Sequence, residues 1–242
     1  MKKFILLCLS ILCLLFSFVC CTQVYTLENP EQASVIDHLN KSTVMLVQKD
    51  PWGTKSYCGG VWINESHIVT AKHCAGGDEI KVGKKIKYQT YAEFDGRYPR
   101  NKNDKTYVAV VVAWGADVDI AVLKATSKVN HHVARIYKNN IVPGGRVQAV
   151  GHPVRMAYNY TTGIISQIRD MNVYPSGNPG RYYVLHVTTS ATFGSSGSGV
   201  YDTNGELLGI ACFVSGNMPG AMFYLHRDLI VEVLDDNSIT YY

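Results

Sequence analysis

The residues of this chain best suited to chemistry lie in Phe193-Gly194-Ser195-Ser196-Gly197-Ser198-Gly199-Val200. A serine with glycine two positions before it and one after it sits on a tight turn, because glycine takes torsions that other residues avoid. In such a turn the amides of Gly194 and Ser196 point the same way and form a two-donor pocket for a developing oxyanion. Each donor of that kind is worth roughly 10²–10³ in rate. A serine hydroxyl also needs a neighbouring base. Upstream, Ile68-Val69-Thr70-Ala71-Lys72-His73-Cys74 sets His73 just after a strand that ends in small residues. Between the two lies Asp117-Val118-Asp119-Ile120-Ala121-Val122-Leu123. An aspartate entering an apolar strand is costly unless a partner takes up its charge, and an imidazolium formed during catalysis is such a partner. Asp117 meets the same description as Asp119. His73, Asp119 and Ser196 follow one of the known chain orders of a nucleophilic triad, and the chemistry they imply is acyl transfer.

The surrounding chain must supply strands to carry them. From Thr43 onward, short β-branched and aromatic runs alternate with Gly, Asn, Asp and Lys clusters, which is the texture of strands and turns. Strands are expected near Thr43–Gln48, Tyr57–Ile63, His67–Thr70, Lys87–Phe94, Thr106–Trp114 and Asp119–Lys124. A second set is expected near Arg146–Gly151, Ala157–Ile168, Tyr182–Thr188, Gly199–Tyr201, Glu206–Val214 and Ala221–Leu225. Two groups of this kind, joined near Ala125–Ile136, give an all-β fold of two packed six-stranded antiparallel barrels. Residues 41–128 would form the first and residues 129–242 the second, with a short C-terminal helix from Arg227 to Leu234. Before residue 226 no helical period is expected, and residues 22–40 read as a lead-in that is extended at least to Ser34.

Met1-Lys2-Lys3 followed by an apolar run from Phe4 to Cys21 has the form of a secretory signal peptide, residues 1–21, leaving Thr22 first in the mature chain. Export, secreted or periplasmic, is the expectation. An uncleaved membrane anchor is the alternative, since the run approaches the ~20 residues a span needs. The net charge is +4, and removal of Lys2 and Lys3 leaves +2, too little to point to nucleic acid. The basic stretch from Lys81 to Lys105 reads as solvated loops. Cys58, Cys74 and Cys212 remain after the leader, which suggests one disulfide and one free thiol in an oxidising compartment. A bridge from Cys58 to Cys74 would pin the His73 loop to the neighbouring strand, leaving Cys212 as a buried small hydrophobe. His131-His132 has no cysteine or carboxylate pair nearby, so no metal site is expected, and no cofactor is expected either.

With these motifs in place, the stretch from about Lys41 to Leu234 resembles a chymotrypsin-fold (trypsin-like) serine peptidase. Val69-Thr70-Ala71-Lys72-His73-Cys74, Asp119-Ile120-Ala121-Val122-Leu123 and Gly194-Ser195-Ser196-Gly197 carry the likeness. Pro143-Gly144-Gly145-Arg146-Val147-Gln148-Ala149-Val150-Gly151-His152-Pro153 and Thr162-Gly163-Ile164-Ile165-Ser166 look closer to the HtrA-type branch, although that branch's usual C-terminal peptide-binding domain is not expected here. The resemblance implies an endopeptidase acting on polypeptides, with substrate added as a strand beside Ala211-Cys212-Phe213-Val214. It also implies a primary pocket with Ser190 at its base and Ala211, Val214 and Gly220 on its walls, suited to a small or medium apolar side chain. One departure matters. Where trypsin-like zymogens carry an aspartate before the nucleophile, this chain has Ser195, so activation by a buried new N-terminus is not expected. The competing readings are a catalytically silent exported barrel used for binding, and an α/β-hydrolase. The latter is set aside because Ser198 stands where its motif needs glycine.

Overall fold

In the computed structural model, residues 29–49, 55–94, 105–173, 179–190, 192–214 and 222–242 are described. The predicted leader and Gly220 lie outside them. Among the described residues no helix is long and apolar enough to cross a membrane.

The first described element departs from the expected lead-in. Helix α1 spans Pro30–Ser42. Asn29 Oδ1 accepts hydrogen bonds from the Glu31 and Gln32 amides at 3.1 and 3.4 Å, and Pro30 is pre-set for the first helical position. Asn29-Pro30 is therefore a helix start inside the stretch read as extended. The period escaped notice because residues 30–34 are all exposed, leaving only Val35, Ile36 and Leu39 to mark an apolar side. At the far end, the hydroxyls of Ser42 and Thr43 both donate to the Leu39 carbonyl, at 3.1 and 2.8 Å, and close the helix.

The first barrel holds β1 (Thr43–Lys49), β2 (Lys55–Trp62), β3 (His67–Ala71), β4 (Lys85–Thr90), β5 (Tyr107–Trp114) and β6 (Ile120–Ala125). Their order is β1-β2-β3-β6-β5-β4, closed by antiparallel pairing of β1 with β4. The second holds β7 (Arg146–Gly151), β8 (Asn159–Val173), β9 (Pro179–Val187), β10 (Gly199–Tyr201), β11 (Leu207–Val214) and β12 (Met222–His226). It is closed by β10 pairing with β7. The chain ends in α2 (Arg227–Asp236), capped by His226 Nδ1, which accepts from the Asp228 amide at 3.2 Å. Leu229, Ile230, Val233 and Leu234 form its buried stripe.

Closure removes the exposed strand edges that an open sheet would present. Alternation is plain in β5, where Ala109, Val111 and Ala113 are buried between half-buried neighbours. The first barrel is filled by residues such as Trp62, Tyr88 and Leu123, and the second by Val147, Leu185 and Tyr224. A third apolar cluster lies between them and includes Val61, Val69, Ile120, Val150, Ile210 and Leu225, with Leu229 and Val233 of α2. It draws on both barrels and so fixes one against the other. Closed β-ladders set the positions of everything that follows.

Candidate active site

Strand β3 pairs antiparallel with β6 in a register that sets Ala71 opposite Ile120. The residues just beyond that pair, Lys72-His73 on one side and Asp119 on the other, are therefore neighbours by construction. The chain after β3 winds into a short 3₁₀ turn, Lys72–Ala75. The Lys72 amide donates to the Asp119 carbonyl at 3.1 Å, and the His73 amide donates to Asp119 Oδ1 at 2.8 Å. With the main chain so fixed, His73 Nδ1 lies 2.6 Å from Asp119 Oδ2. A carboxylate oxygen accepts, so Nδ1 carries a proton, and in the neutral ring Nε2 keeps its lone pair. A disulfide joins Cys74 of this turn to Cys58 of β2.

Asp119 and Asp117, equivalent in the sequence, part company here. The Asp117 side chain is 62% exposed and faces the Arg181 guanidinium at 3.6 Å. The Asp119 side chain is 19% exposed and faces the imidazole, itself 46% exposed. Burial, the largest influence on the imidazole, pushes its pKa down. The hydrogen bond and the negative charge of Asp119 push it up further, and the net result lies above the ordinary histidine value.

Asp119 Oδ2 has a second partner. The thiol of Cys212 donates to it at 3.2 Å. Burial first, then the neighbouring carboxylate, hold this thiol well above its ordinary pKa, so it remains a protonated donor. Cys212 owes its aim to a bulge. Along β11 and β12, Ala211 pairs with Tyr224 while Phe213 pairs with Phe223, so Cys212 is the extra residue. Bulges redirect side chains in this way. Ala211 accordingly points into the core of the second barrel, fully buried, while Cys212 and Phe213 belong to the cluster between the barrels.

The serine turn is held from both barrels. The Ser196 carbonyl accepts from the Gly59 amide of β2 at 2.7 Å, and the Gly197 amide donates to the Ala211 carbonyl of β11 at 2.6 Å. Gly194 and Gly197 have φ of +104° and +79°, a left-handed region that favours glycine. A Cβ on Gly194 would lie 2.3 Å from the His152 carbonyl oxygen, and one on Gly197 would lie 2.3 Å from Thr70 Oγ1. Among the described residues no hydrogen bond takes up the amides of Gly194 or Ser196. Both remain available as donors.

The turn also rests on a support that its sequence does not announce. The His152 ring is fully buried; its Nε2 lies 3.2 Å from the Val44 carbonyl and its Nδ1 accepts from the Tyr158 amide at 3.1 Å. The Val154 amide donates to the Phe193 carbonyl at 2.8 Å. Val154, Arg155 and Tyr158 all have positive φ, of 43°, 72° and 55°, which is strained for side chains of these kinds. The fragment Gly151-His152-Pro153 hinted at a turn, but nothing in it signalled a buttress for the serine.

His73, Asp119 and Ser196 line one cleft of about 950 Å³, with Tyr182, Phe193, Phe213, Val214 and Met222 on its walls. Ser190 lines a separate small void with Ser195, Ser198 and Tyr224. Of the expected pocket residues, Phe213 and Val214 reach the cleft, Ser190 and Ala211 do not line it, and Gly220 lies outside the described residues. Among the described residues, the one grouping of three metal-type ligands is Cys58, His73 and Cys74, and the disulfide occupies both sulfurs.

Residues 58–210 match the trypsin-like peptidase domain family, and this chain belongs to it. Protease Do-like 1 of Arabidopsis thaliana chloroplasts is 28% identical over 192 residues, which is 76% of this chain and 39% of that protein. A probable periplasmic serine endoprotease, DegP-like, from Marinomonas sp. is 28% identical over 191 residues, 76% of this chain and 36% of its own length. This chain thus spans less than two-fifths of either relative. The active form of the Rv3671c protease from M. tuberculosis superposes with a TM-score of 0.69 at 19% identity, covering 88% of this chain and 86% of that one. The serine endoprotease from Yersinia pestis superposes with a TM-score of 0.64 at 22% identity, covering 85% and 66%. At such identities the likeness is one of fold.

Proposed function

We propose that this chain is an exported serine endopeptidase that works through His73, Asp119 and Ser196. The observation that carries the reading is the Asp119–His73 hydrogen bond in the same cleft as Ser196. Ser196 Oγ attacks the scissile carbonyl while Nε2 of His73 accepts its proton, and Asp119 holds the tautomer and offsets the imidazolium charge. The free amides of Gly194 and Ser196 receive the oxyanion. His73 then protonates the leaving amine, and water hydrolyses the acyl-enzyme through the same base. The substrate backbone docks as an added strand beside β11, and the apolar walls at Phe213, Val214 and Met222 favour apolar side chains. Export rests on the leader sequence and agrees with the periplasmic label on the Marinomonas relative.

Cleavage of a peptide library tests this reading. The wild-type protein should cut preferentially after small or medium apolar residues, and Ser196→Ala should cut nothing. Cleavage that survives in the variant, or none by folded wild type, would overturn it.

A further inference from the structure

The disulfide beside His73 hides a second ligand set. Cys58 Sγ, Cys74 Sγ and a ring nitrogen of His73 all lie within 4.8 Å of one another. Two thiolates and one imidazole are the donors of Cys₂His zinc sites, in which Zn–S is about 2.3 Å and Zn–N about 2.0–2.1 Å. Those bond lengths place tetrahedral ligand atoms ~3.5–3.8 Å apart, so a metal would enter once the sulfurs separate and the imidazole swings its Nε2 toward them. The supporting contact already exists. Nδ1–H of His73 is held by Asp119 at 2.6 Å, leaving Nε2 with the lone pair. A carboxylate behind a ligating histidine is the usual outer contact of a zinc site.

We infer that Cys58, Cys74 and His73 form a zinc site whenever the disulfide is open, and that the metal then occupies the histidine the peptidase needs. An open bond exists before oxidative closure of the exported chain, or after reduction by a dithiol. In the latter case the dithiol gives up two electrons and two protons, closes to its own cyclic disulfide and leaves two protein thiols. Zn²⁺ then displaces both thiol protons to water and takes the Nε2 lone pair, with one coordination position left for water. With Nε2 on the metal, the imidazole cannot accept the Ser196 proton, so the metal-bound form is inactive. Closing the disulfide removes both sulfur ligands and excludes the metal. The redox state of one bond would thereby decide between a metal-locked and a working histidine. Cys212 takes no part, since its thiol faces Asp119.

The inhibitory half rests on the peptidase reading above, so the test keeps binding and inhibition apart. The full chain is reduced with a phosphine, folding is followed by circular dichroism, and Co²⁺ replaces Zn²⁺ as a coloured probe. Reduced wild type should bind a single Co²⁺ with a thiolate-to-metal charge-transfer band, and should lose more than about tenfold in its rate of fluorophosphonate labelling. A chelator should restore that rate. The oxidised protein and reduced Cys58→Ser/Cys74→Ser, which keeps Cys212, should show no band and no response of labelling to the metal. Four results would overturn the inference: no band in folded reduced protein, an equal band in the double variant, a band without any effect on labelling, or a reduced chain that stays unfolded with the metal present. If the band forms but even oxidised, metal-free protein fails to label, the metal site stands and the peptidase reading fails.

Discussion

Asp119→Asn removes a charge while keeping the shape of the side chain, and the geometry dictates how the replacement must sit. In the wild type, Oδ1 accepts from the His73 amide at 2.8 Å and Oδ2 from the ring Nδ1 at 2.6 Å. An asparagine offers one acceptor end and one donor end. The main-chain N–H can only donate, so the amide oxygen must face it, and the NH₂ group then faces Nδ1. Nδ1 becomes the acceptor, the ring proton moves to Nε2, and the imidazole can no longer take the Ser196 proton. An inverted tautomer of this kind costs about 10⁴ in kcat, or ~5.4 kcal/mol of barrier. Loss of one charge-assisted hydrogen bond alone is worth about 1.5–3 kcal/mol, equivalent to about 10–150-fold. The size of the effect therefore separates the two explanations. The assay is kcat on a peptide substrate, with Asp117→Asn as the control. That carboxylate is 62% exposed and faces Arg181, so the control should lose less than about threefold, as exposed pairs contribute little. A loss below about 10²-fold in folded Asp119→Asn, or a greater loss in the Asp117 variant, would exclude the inverted tautomer.

The acid limb of kcat/KM should have its midpoint above the ordinary histidine value of 6.5, because the folded pKa of His73 is raised; a pH–rate profile reads it directly, and a midpoint below 6.5 contradicts the assignment. The same shift gives the opposite sign for stability: this contribution is full below 6.5 and is lost as pH rises through the raised folded value, which denaturant melts of wild type and His73→Ala across that range would show. Cys212→Ser should keep most of the activity by preserving a donor to Asp119, whereas Cys212→Val should lose about 1 kcal/mol, or roughly fivefold in kcat/KM; equal rates in the two variants would deny the thiol a positioning role. Gly194→Ala should abolish turnover with the rest of the fold intact, since its Cβ would meet the His152 carbonyl oxygen at 2.3 Å in a left-handed backbone; measurable kcat with a normal circular dichroism spectrum would argue against this oxyanion turn.

What the sequence made legible was local. Strands announced themselves through alternation bounded by turn residues, and β7 and β10 fall where that pattern put them. Glycine spacing around Ser196 pointed to a turn because positive φ leaves a trace in residue type. Residue type alone left Asp117 and Asp119 alike, and the motif Asp119-Ile120-Ala121-Val122-Leu123 singled out Asp119; the β3–β6 register, a pairing across some 50 residues of chain, is what brings that residue to His73. Cys212 is the buried free thiol the sequence led one to expect, but neither its contact with Asp119 nor the core position of Ala211 was legible. Strict alternation puts residues 211 and 213 on one face, and only the bulge, invisible in composition, sends Ala211 into the barrel core and Cys212 toward Asp119. Helix α1 was missed because a half-exposed helix carries too few apolar residues to declare its period. The strained His152–Tyr158 buttress gave no signal, since its non-glycine residues take torsions that their types do not advertise.

In the proposed mechanism Ser196 is a nucleophile activated by His73. Labelling of the folded protein with a fluorophosphonate probe, followed by peptide mass mapping, measures this directly. One adduct is expected, on the peptide carrying Ser196, absent in Ser196→Ala and slowed by several powers of ten in His73→Ala. An adduct on a different serine, or no adduct on folded, oxidised wild-type protein, would contradict it.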